Sequence, residues 1–341
     1  MNFLKKNDIE FVTRILYVVF CILFINSCTK NPLKKDVSNI DVAIKIERFD
    51  QDIKNISKGN VENNISNLKS QYSDFFTIYN TQIINIVDEN NQSYLRYLNL
   101  FLNDYAVKKA YSEVDVLFNN MDNVEEELNS ALKYYKYYYP NNNIPQITTF
   151  ISGFNLSIVL TDNHLGIGLD KYLGADCQLY EMLGIERYLR YDMSSEYISV
   201  DVVRALAEND FPNEQENKNL LSEMLYNAKI LYFINAMLPD IDDARLNKYS
   251  ASQLGYCKHF EKELWINIIE NKKLFTTDIF EIRKLTQNSP YTAQFGPDCP
   301  PRVVNFLGLQ IIRSYMKNNK VSLQNLMEDT DYQSILQNSN Y

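Results

Sequence analysis

Histidine is the side chain that most often serves as a general base or a metal ligand near neutral pH, and this chain contains two, His164 and His259. His164 follows the turn-forming pair Asp162-Asn163, and His259 lies in a segment that we expect to be helical. The chain contains no His-Glu-x-x-His sequence, so the common helical zinc site is missing. A lone histidine in a turn is more often structural than catalytic, and we predict that the protein uses no metal or other cofactor.

Motifs for nucleophilic catalysis and for nucleotide binding are missing as well. The chain has no Gly-x-Ser-x-Gly elbow and no phosphate-binding loop that ends in Gly-Lys-Ser or Gly-Lys-Thr. The segment Gly166-Ile167-Gly168 lacks the third glycine of a dinucleotide-binding loop. A Ser-His-Asp triad depends on geometry, so the sequence leaves it open. We predict that the protein is not an enzyme.

Three other segments each have a binding and a structural interpretation. The carboxylates Asp240, Asp242 and Asp243 suit calcium, but their spacing fails the EF-hand pattern and fits a helix-capping turn. The rigid loop Gly296–Pro301 either binds a ligand at a helix start or fixes where that helix begins. The Tyr134–Tyr139 cluster either stacks on a ligand or fills the core. The structural interpretation is favoured in all three cases.

The elements that must position these residues are mostly helical. Alternating apolar residues predict a strand over Val42–Phe49, and residues 50–140 contain helical patterns, including a helix from Asn123 to Tyr139 before Pro140. Three more strands are predicted at 146–151, 156–161 and 165–169, the last two forming a hairpin. Later helices are predicted over 197–209, 220–238, 251–268 and 303–315, with a short last one after Ser322. The order predicts an α+β fold with a small mixed or antiparallel sheet.

Length and charge limit the class of protein. The 341 residues carry a formal net charge of −9 and are 45% hydrophobic, which fits a folded globular protein that does not bind nucleic acid. We expect one globular domain over 41–341. Its parts are a helical region to about residue 140, the sheet over 144–170 and a second helical region over 175–341.

The N-terminus has the anatomy of an export signal. Lys5, Lys6 and Arg14 precede the apolar run Ile15–Ile25, which is too short for a bilayer core that needs roughly 20 residues. The following cysteine, Cys28, resembles the lipobox of bacterial lipoproteins. That resemblance implies removal of residues 1–27, a lipid on the Cys28 sulfur and a tether over 28–40. An uncleaved membrane anchor is the alternative.

Three cysteines remain in the expected mature chain: Cys177, Cys257 and Cys299. They are widely spaced and odd in number, which does not indicate a disulfide framework. One bridge among them stays open, and burial as free thiols is favoured.

Several segments together resemble the GldB-type gliding-motility lipoproteins of the Bacteroidetes. They are Val42–Asp50, Gly168–Gly174, Leu220–Asp240, Glu263–Trp265 and Ser289–Tyr315, and only Asn227, where a glycine is expected, departs from the pattern. The resemblance implies a lipid-anchored protein of the cell envelope. It implies partners among the other gliding-motility proteins and a position that faces the periplasm, with the choice of membrane left open.

A second resemblance concerns the fold. The hairpin and the helices after it resemble predicted zinc proteases of the His-Glu-x-x-His type, but here the helix after the sheet reads Asp201–Glu208 and holds no histidine. The resemblance implies a protease-like fold without its metal and a groove that involves His164, Asp170, Arg204 and Glu208. An atypical hydrolase or peptidase that uses this groove, or a protein that binds a peptide or an envelope polymer, is the alternative function.

Overall fold

A computed structural model describes residues 31–214 and 218–341 and shows a mostly helical chain around a three-stranded sheet. The predicted α+β class is confirmed. Residues Asp36–Tyr341 belong to one unit. The predicted signal peptide and Cys28 lie outside the described residues. Across the two described ranges, no helix is both long enough and apolar enough to cross a bilayer.

The N-terminal half is helical, as its sequence pattern predicts. Its longest helix bends at Ser73, which has a φ of +44°, and runs on into a π-helical turn at Tyr79–Ile83. The helix predicted before Pro140 ends at Tyr138, within one residue of the expected position. The helices of this half are α1 (Phe49–Lys54), α2 (Val61–Ile78), α3 (Tyr94–Asn103), α4 (Tyr105–Leu117) and α5 (Asp122–Tyr138).

The sheet consists of β1 (Gln146–Phe150), β2 (Ile158–Leu160) and β3 (His164–Gly168), with β3 in the centre. β1 runs parallel to β3, and β2 runs antiparallel to β3 as the predicted hairpin requires. The sheet is therefore mixed. β3 is buried along its whole length.

The strand predicted over Val42–Phe49 does not form. Only Glu47 bridges to β1, where its N–H donates to Ile147 and its carbonyl accepts from Thr149. The neighbouring N–H groups of Ile44 and Ile46 donate instead to side chains of α5. Because the helix α1 begins at Phe49, the segment has no room to continue a strand ladder.

A second helical layer follows the sheet. A capping box at Asn219 starts the central helix, and a second one at Ser250 starts a later helix. The helices are α6 (Gln178–Met182), α7 (Arg187–Arg190), α8 (Ile198–Asp210), α9 (Leu220–Met237), α10 (Asp243–Asn247), α11 (Ala251–His259), α12 (Glu261–Glu270), α13 (Ile279–Thr286), α14 (Val303–Asn318), α15 (Leu323–Glu328) and α16 (Tyr332–Ser339).

Two details of this layer differ from the sequence prediction. The helix predicted over 251–268 is two helices, α11 and α12, with a break at Phe260. The helix predicted after Ser322 is followed by another, α16, at the end of the chain. Continuous helical spacing of apolar residues therefore does not by itself reveal a break between two helices.

The central helix α9 is apolar on nearly every face, as expected for a helix surrounded by other elements. Its closest partner is α14, and Gly308 lies at their crossing. A Cβ atom on Gly308 would stand 2.8 Å from the carbonyl oxygen of Met224. The glycine therefore sets how closely the two helices approach.

A cluster of aromatic rings joins the N-terminal helices to the sheet. Phe49 makes edge-to-face contacts with Tyr72 and Tyr79, whose ring centroids lie 4.8 and 4.7 Å away. Phe75 packs on Phe150 of β1. These rings are fully buried, so they form the core that holds the sheet against α2.

Candidate functional site

A cleft lies between α8 and the loops before α11 and α14. It consists of three cavities that share Asp192 and Lys248 as lining residues. The hairpin-side chamber, about 630 Å³, includes Ile158 of β2. The loop-side chamber, about 600 Å³, includes Pro290 and Pro301. The inner chamber between them has about 300 Å³.

Lys248 joins two carboxylates at the centre of the cleft. It caps the C-terminus of α10 in the left-handed conformation, with a φ of +54°. Its Nζ lies 2.7 Å from Asp192 Oδ2 and 2.6 Å from Asp201 Oδ1. The hydroxyl of Tyr172 donates to the other oxygen of Asp201 at 3.0 Å. Burial, and next the Asp201 charge, hold the pKa of Tyr172 well above its usual value. The charge of Lys248 is thus shared between two carboxylates.

Arg204 and Glu208 are the predicted groove residues that line the cleft. They lie one turn apart on α8, and their charged atoms are 3.6 Å apart. Both line the hairpin-side chamber, and Arg204 also lines the inner chamber. The Glu208 side chain is half exposed, so this ion pair is screened by water and only weakly fixes Arg204.

Arg302 is a cation of the cleft whose hydrogen-bond acceptors are backbone carbonyl oxygens. It lies at the N-cap of α14 with a φ of +57°, and its guanidinium stacks over the Tyr249 ring. One terminal nitrogen donates at 3.3 Å to the carbonyl oxygens of Asn247 and Lys248. Its Nε is buried and has no hydrogen-bond partner among the described residues. Burial lowers the pKa of Arg302, although the nearby Tyr249 and Asp192 act in the opposite direction.

The inner chamber also contains side-chain amides. Asn227, Asn247 and Asn305 line it, with Gln287 and Asn288 exposed at its edge. Asn305 donates to the carbonyl oxygen of Thr286 at 3.3 Å. Its Oδ1 is buried without a partner among the described residues. Arg302 Nε and Asn305 Oδ1 are therefore buried polar atoms without a hydrogen-bond partner among the described residues.

His164 does not line the cleft. It is buried in β3, where its Nδ1 lies 3.3 Å from the Thr148 hydroxyl and its ring packs against Phe75. Its Nε2 lies 3.8 Å from Asp74. Burial lowers the pKa of His164 more strongly than the nearby carboxylates raise it. The residue is a neutral core histidine near neutral pH.

Asp170 also lies away from the cleft. Its carboxylate is fully buried and accepts hydrogen bonds from the N–H groups of Ser152 and Phe154 and from the Ser152 hydroxyl. Burial raises its pKa to about 6 despite these donors. Asp170 therefore holds the loop after β1 in place, and the structure unites only two of the four predicted groove residues.

The acidic cluster is structural. Asp242 caps α10 by accepting from the N–H groups of Ala244 and Arg245. Asp243 binds Arg313 at 2.6 Å. No group of three or more histidine, cysteine or carboxylate residues is placed to hold a metal within the described residues.

The other candidates have structural positions. His259 is exposed at the end of α11. Tyr134, Tyr135 and Tyr139 are buried, which agrees with the core interpretation of the tyrosine cluster, whereas Tyr137 is exposed. The three expected mature cysteines are free thiols, with Cys257 and Cys299 buried and Cys177 partly exposed.

Sequence reasoning missed Lys248, Asp192 and Arg302. Lys248 and Asp192 show no motif because they are 56 positions apart and meet only in the fold. Arg302 could have been found from the sequence, because it directly follows the rigid loop Gly296–Pro301. One interpretation of that loop was that it binds a ligand at the start of a helix.

Comparison with known protein families identifies a matching family. The family model described as gliding motility protein GldB matches residues 30–341. No curated protein and no solved structure matches the chain.

Proposed function

The chain belongs to the GldB family of gliding motility proteins, and on this premise we propose that it is a lipid-anchored component of the gliding machinery that works by binding other envelope proteins. The family makes it a gliding-motility-related lipoprotein of the cell envelope. The extent of the family match carries the proposal. It covers the chain from residue 30 to its last residue, so the sheet, the helices and the cleft all belong to the family domain.

Attachment through Cys28 is part of the proposal. The cysteine lies two residues before the matched region, and the folded unit starts at Asp36. A short polar segment thus separates the proposed lipid from the fold. Two or three acyl chains bind a bilayer firmly, and we propose that they keep the domain at the membrane, facing the periplasm.

The positions of the potential catalytic side chains support binding rather than catalysis. His164 is buried against Phe75, and the Asp170 carboxylate is occupied by donors from the loop after β1. Large apolar side chains are exposed over a short stretch of α12, α13 and their connection, which suits contact with another protein. They are Ile266, Ile269, Phe275, Ile279 and Phe280.

Gene deletion in a gliding host tests the proposal. We expect loss of colony spreading in the deletion strain and its recovery when the wild-type gene is supplied. Crosslinking in intact cells, followed by identification of the linked proteins, is expected to recover other gliding-motility proteins. Normal spreading of the deletion strain would reject the motility role. Recovery of spreading by a gene whose product crosslinks to no envelope protein would reject the binding role.

A further inference from the structure

We propose that Phe275, Ile279 and Phe280, which we call the apolar tip, insert into the surface of the bilayer that carries the lipid anchor. This membrane contact rests on the attachment at Cys28 in the proposed function, and it adds the bilayer itself as a partner of the folded domain. The exposed apolar residues of the preceding helix α12 are not part of the tip and stay available to a partner protein. The exposure of the tip, the charges beside it and the short connection to the anchor support the contact.

The apolar tip lies where the connection after α12 passes into α13. Phe280 is 69% exposed, Phe275 is 56% exposed and Ile279 is 45% exposed. Moving such side chains out of water is favourable, and large apolar side chains that are exposed close together mark protein or membrane contacts. Three of them within six positions therefore indicate that this surface meets an apolar partner.

The backbone beneath the tip is held in place. The N–H groups of Leu220 and Leu221, at the start of α9, donate to the carbonyl oxygens of Thr276 and Leu274 at 3.1 and 2.9 Å. The side chain of Asp278 caps the start of α13. Because the turn is already ordered, little backbone freedom is lost when the tip enters an apolar environment.

Cations lie next to the tip. Arg283 and Lys284 follow Ile279 and Phe280 by four positions, which places them on the same side of α13. Lys272 precedes the tip, and all three cations are exposed. Apolar side chains flanked by lysine and arginine are typical of surfaces that bind anionic bilayers, where the cations reach the headgroups while the apolar groups enter the acyl boundary.

The full charge of this stretch differs in sign from that of the chain. Residues 269–284 contain four cations and three carboxylates, whereas the chain carries a net charge of −9. Two of the carboxylates have partners within the protein, because Glu281 binds Lys273 at 2.8 Å and Asp278 caps α13. The third, Glu270, is exposed. The stretch is thus a place on an acidic protein where anionic headgroups are attracted.

The anchor holds the folded domain close to the bilayer. Cys28 lies eight positions before Asp36, where the folded unit begins, and a fully extended chain of that length spans at most about 30 Å. Insertion of the tip is then an intramolecular step, so a contact too weak to hold a free protein can form in the anchored one. The bilayer is the apolar surface that the anchor itself brings within reach, and for this reason we assign the tip to it.

Quenching of tryptophan fluorescence by brominated lipid tests the contact. The chain has a single tryptophan, Trp265, which is replaced in Trp265→Phe so that a reporter can be introduced as Phe280→Trp. The control reporter is Leu100→Trp on α3, at a side chain that is 61% exposed. Each purified full chain is reconstituted into vesicles of phosphatidylcholine with about a quarter phosphatidylglycerol, with and without bromine on the phosphatidylcholine acyl chains.

We expect brominated lipid to quench Phe280→Trp about twofold or more, because an inserted side chain reaches the acyl boundary, and to change Leu100→Trp little. Lys284→Glu is expected to reduce the quenching of Phe280→Trp, while Lys109→Glu, the same change at an exposed position of α4, leaves it unchanged. Circular dichroism establishes that each variant folds. If Trp265→Phe does not fold, the reporters are compared with the wild-type chain as the baseline.

A failure of this contact is distinct from a failure of the proposed function. The vesicles contain no other protein, so the quenching does not depend on the gliding role. The chain is held in the vesicle by its lipid or by an uncleaved N-terminal anchor, and the reporters respond in both cases. The intact mass of the purified chain shows separately whether Cys28 carries a lipid.

Three outcomes would overturn the inference. The first is no quenching of Phe280→Trp, which would leave a partner protein as the occupant of the tip. The second is equal quenching of Phe280→Trp and Leu100→Trp, which would show adsorption without a preferred face. The third is quenching that Lys284→Glu and Lys109→Glu change alike.

Discussion

Lys229 and Asp329 are joined across 100 positions of the chain, because the Lys229 Nζ donates a 2.7 Å hydrogen bond to the Asp329 carbonyl oxygen. A second bond of 2.8 Å goes to the carbonyl oxygen of Met327, and the ammonium lies over the Tyr332 ring. Lys229 is only 2% exposed. The buried lysine thus fastens α15 and α16 to the central helix.

The lowered pKa of Lys229 predicts that the free energy of unfolding increases as the pH rises. Burial lowers it from 10.5 to about 8, so between pH 8 and 10 the unfolded chain binds more protons than the folded one. The free energy of unfolding should therefore rise through this window relative to a Lys229→Met variant, by up to about 1.4 kcal/mol per pH unit. Urea unfolding of both proteins at several pH values measures the difference. A difference that does not change with pH would contradict the prediction.

Removal of the Asp170 carboxylate should destabilise the fold. Asp170→Ala leaves the buried N–H groups of Ser152 and Phe154 without their acceptor, and we expect a loss of about 2–3 kcal/mol in the free energy of unfolding. Asp176→Ala, at an exposed position nearby, is the control and should change stability by less than about 0.5 kcal/mol. Urea unfolding at neutral pH distinguishes the two. Equal midpoints would argue against a structural role of Asp170.

Two glycines in helices should respond oppositely to alanine. Gly308→Ala places a methyl group 2.8 Å from the Met224 carbonyl oxygen, so we expect a loss of about 1–3 kcal/mol. Gly255 in α11 has open space around it, and Gly255→Ala should stabilise the protein by about 0.5–1 kcal/mol. Thermal unfolding should lower the midpoint of the first variant and raise that of the second. A midpoint that is not lowered by Gly308→Ala would show that α9 and α14 can separate at little cost.

Cys28→Ala should release the protein from membranes, because it removes the proposed site of lipid attachment. Cys21→Ala makes the same change within the apolar run of the export signal and should leave the protein in the membrane fraction. Cell fractionation followed by immunoblotting measures both. Membrane retention of Cys28→Ala would favour the alternative of an uncleaved anchor. If a soluble Cys28→Ala protein supports full colony spreading, the lipid serves only to sort the protein to its membrane.

Much of the fold could be predicted because its signals are local. Pro140 and Pro239 follow the ends of α5 and α9 closely, and the Ser250 capping box starts α11. The segment before α1 was predicted wrongly because its alternation is real, but the partners of its N–H groups are side chains of α5. Such long-range partners leave no trace in the local pattern.

The cleft was harder to predict for the same reason. Arg204 and Glu208 are neighbours on one helix, so their joint position followed from sequence. Lys248 and Arg302 enter the cleft through left-handed backbone conformations at a helix end and a helix start. Residues of ordinary side-chain types in that conformation are uncommon, and sequence spacing does not indicate them.

The sheet described above limits how another protein can attach. Its outer strand β2 has only three residues, and β1 on the opposite side is bridged by Glu47. A partner that joins a sheet by adding its own strand needs a longer row of free backbone groups than either side offers. The sheet is thus protected against edge-to-edge aggregation. A partner that binds the described part of the chain would therefore contact helix faces and loops, where side chains rather than backbone determine which partner is accepted.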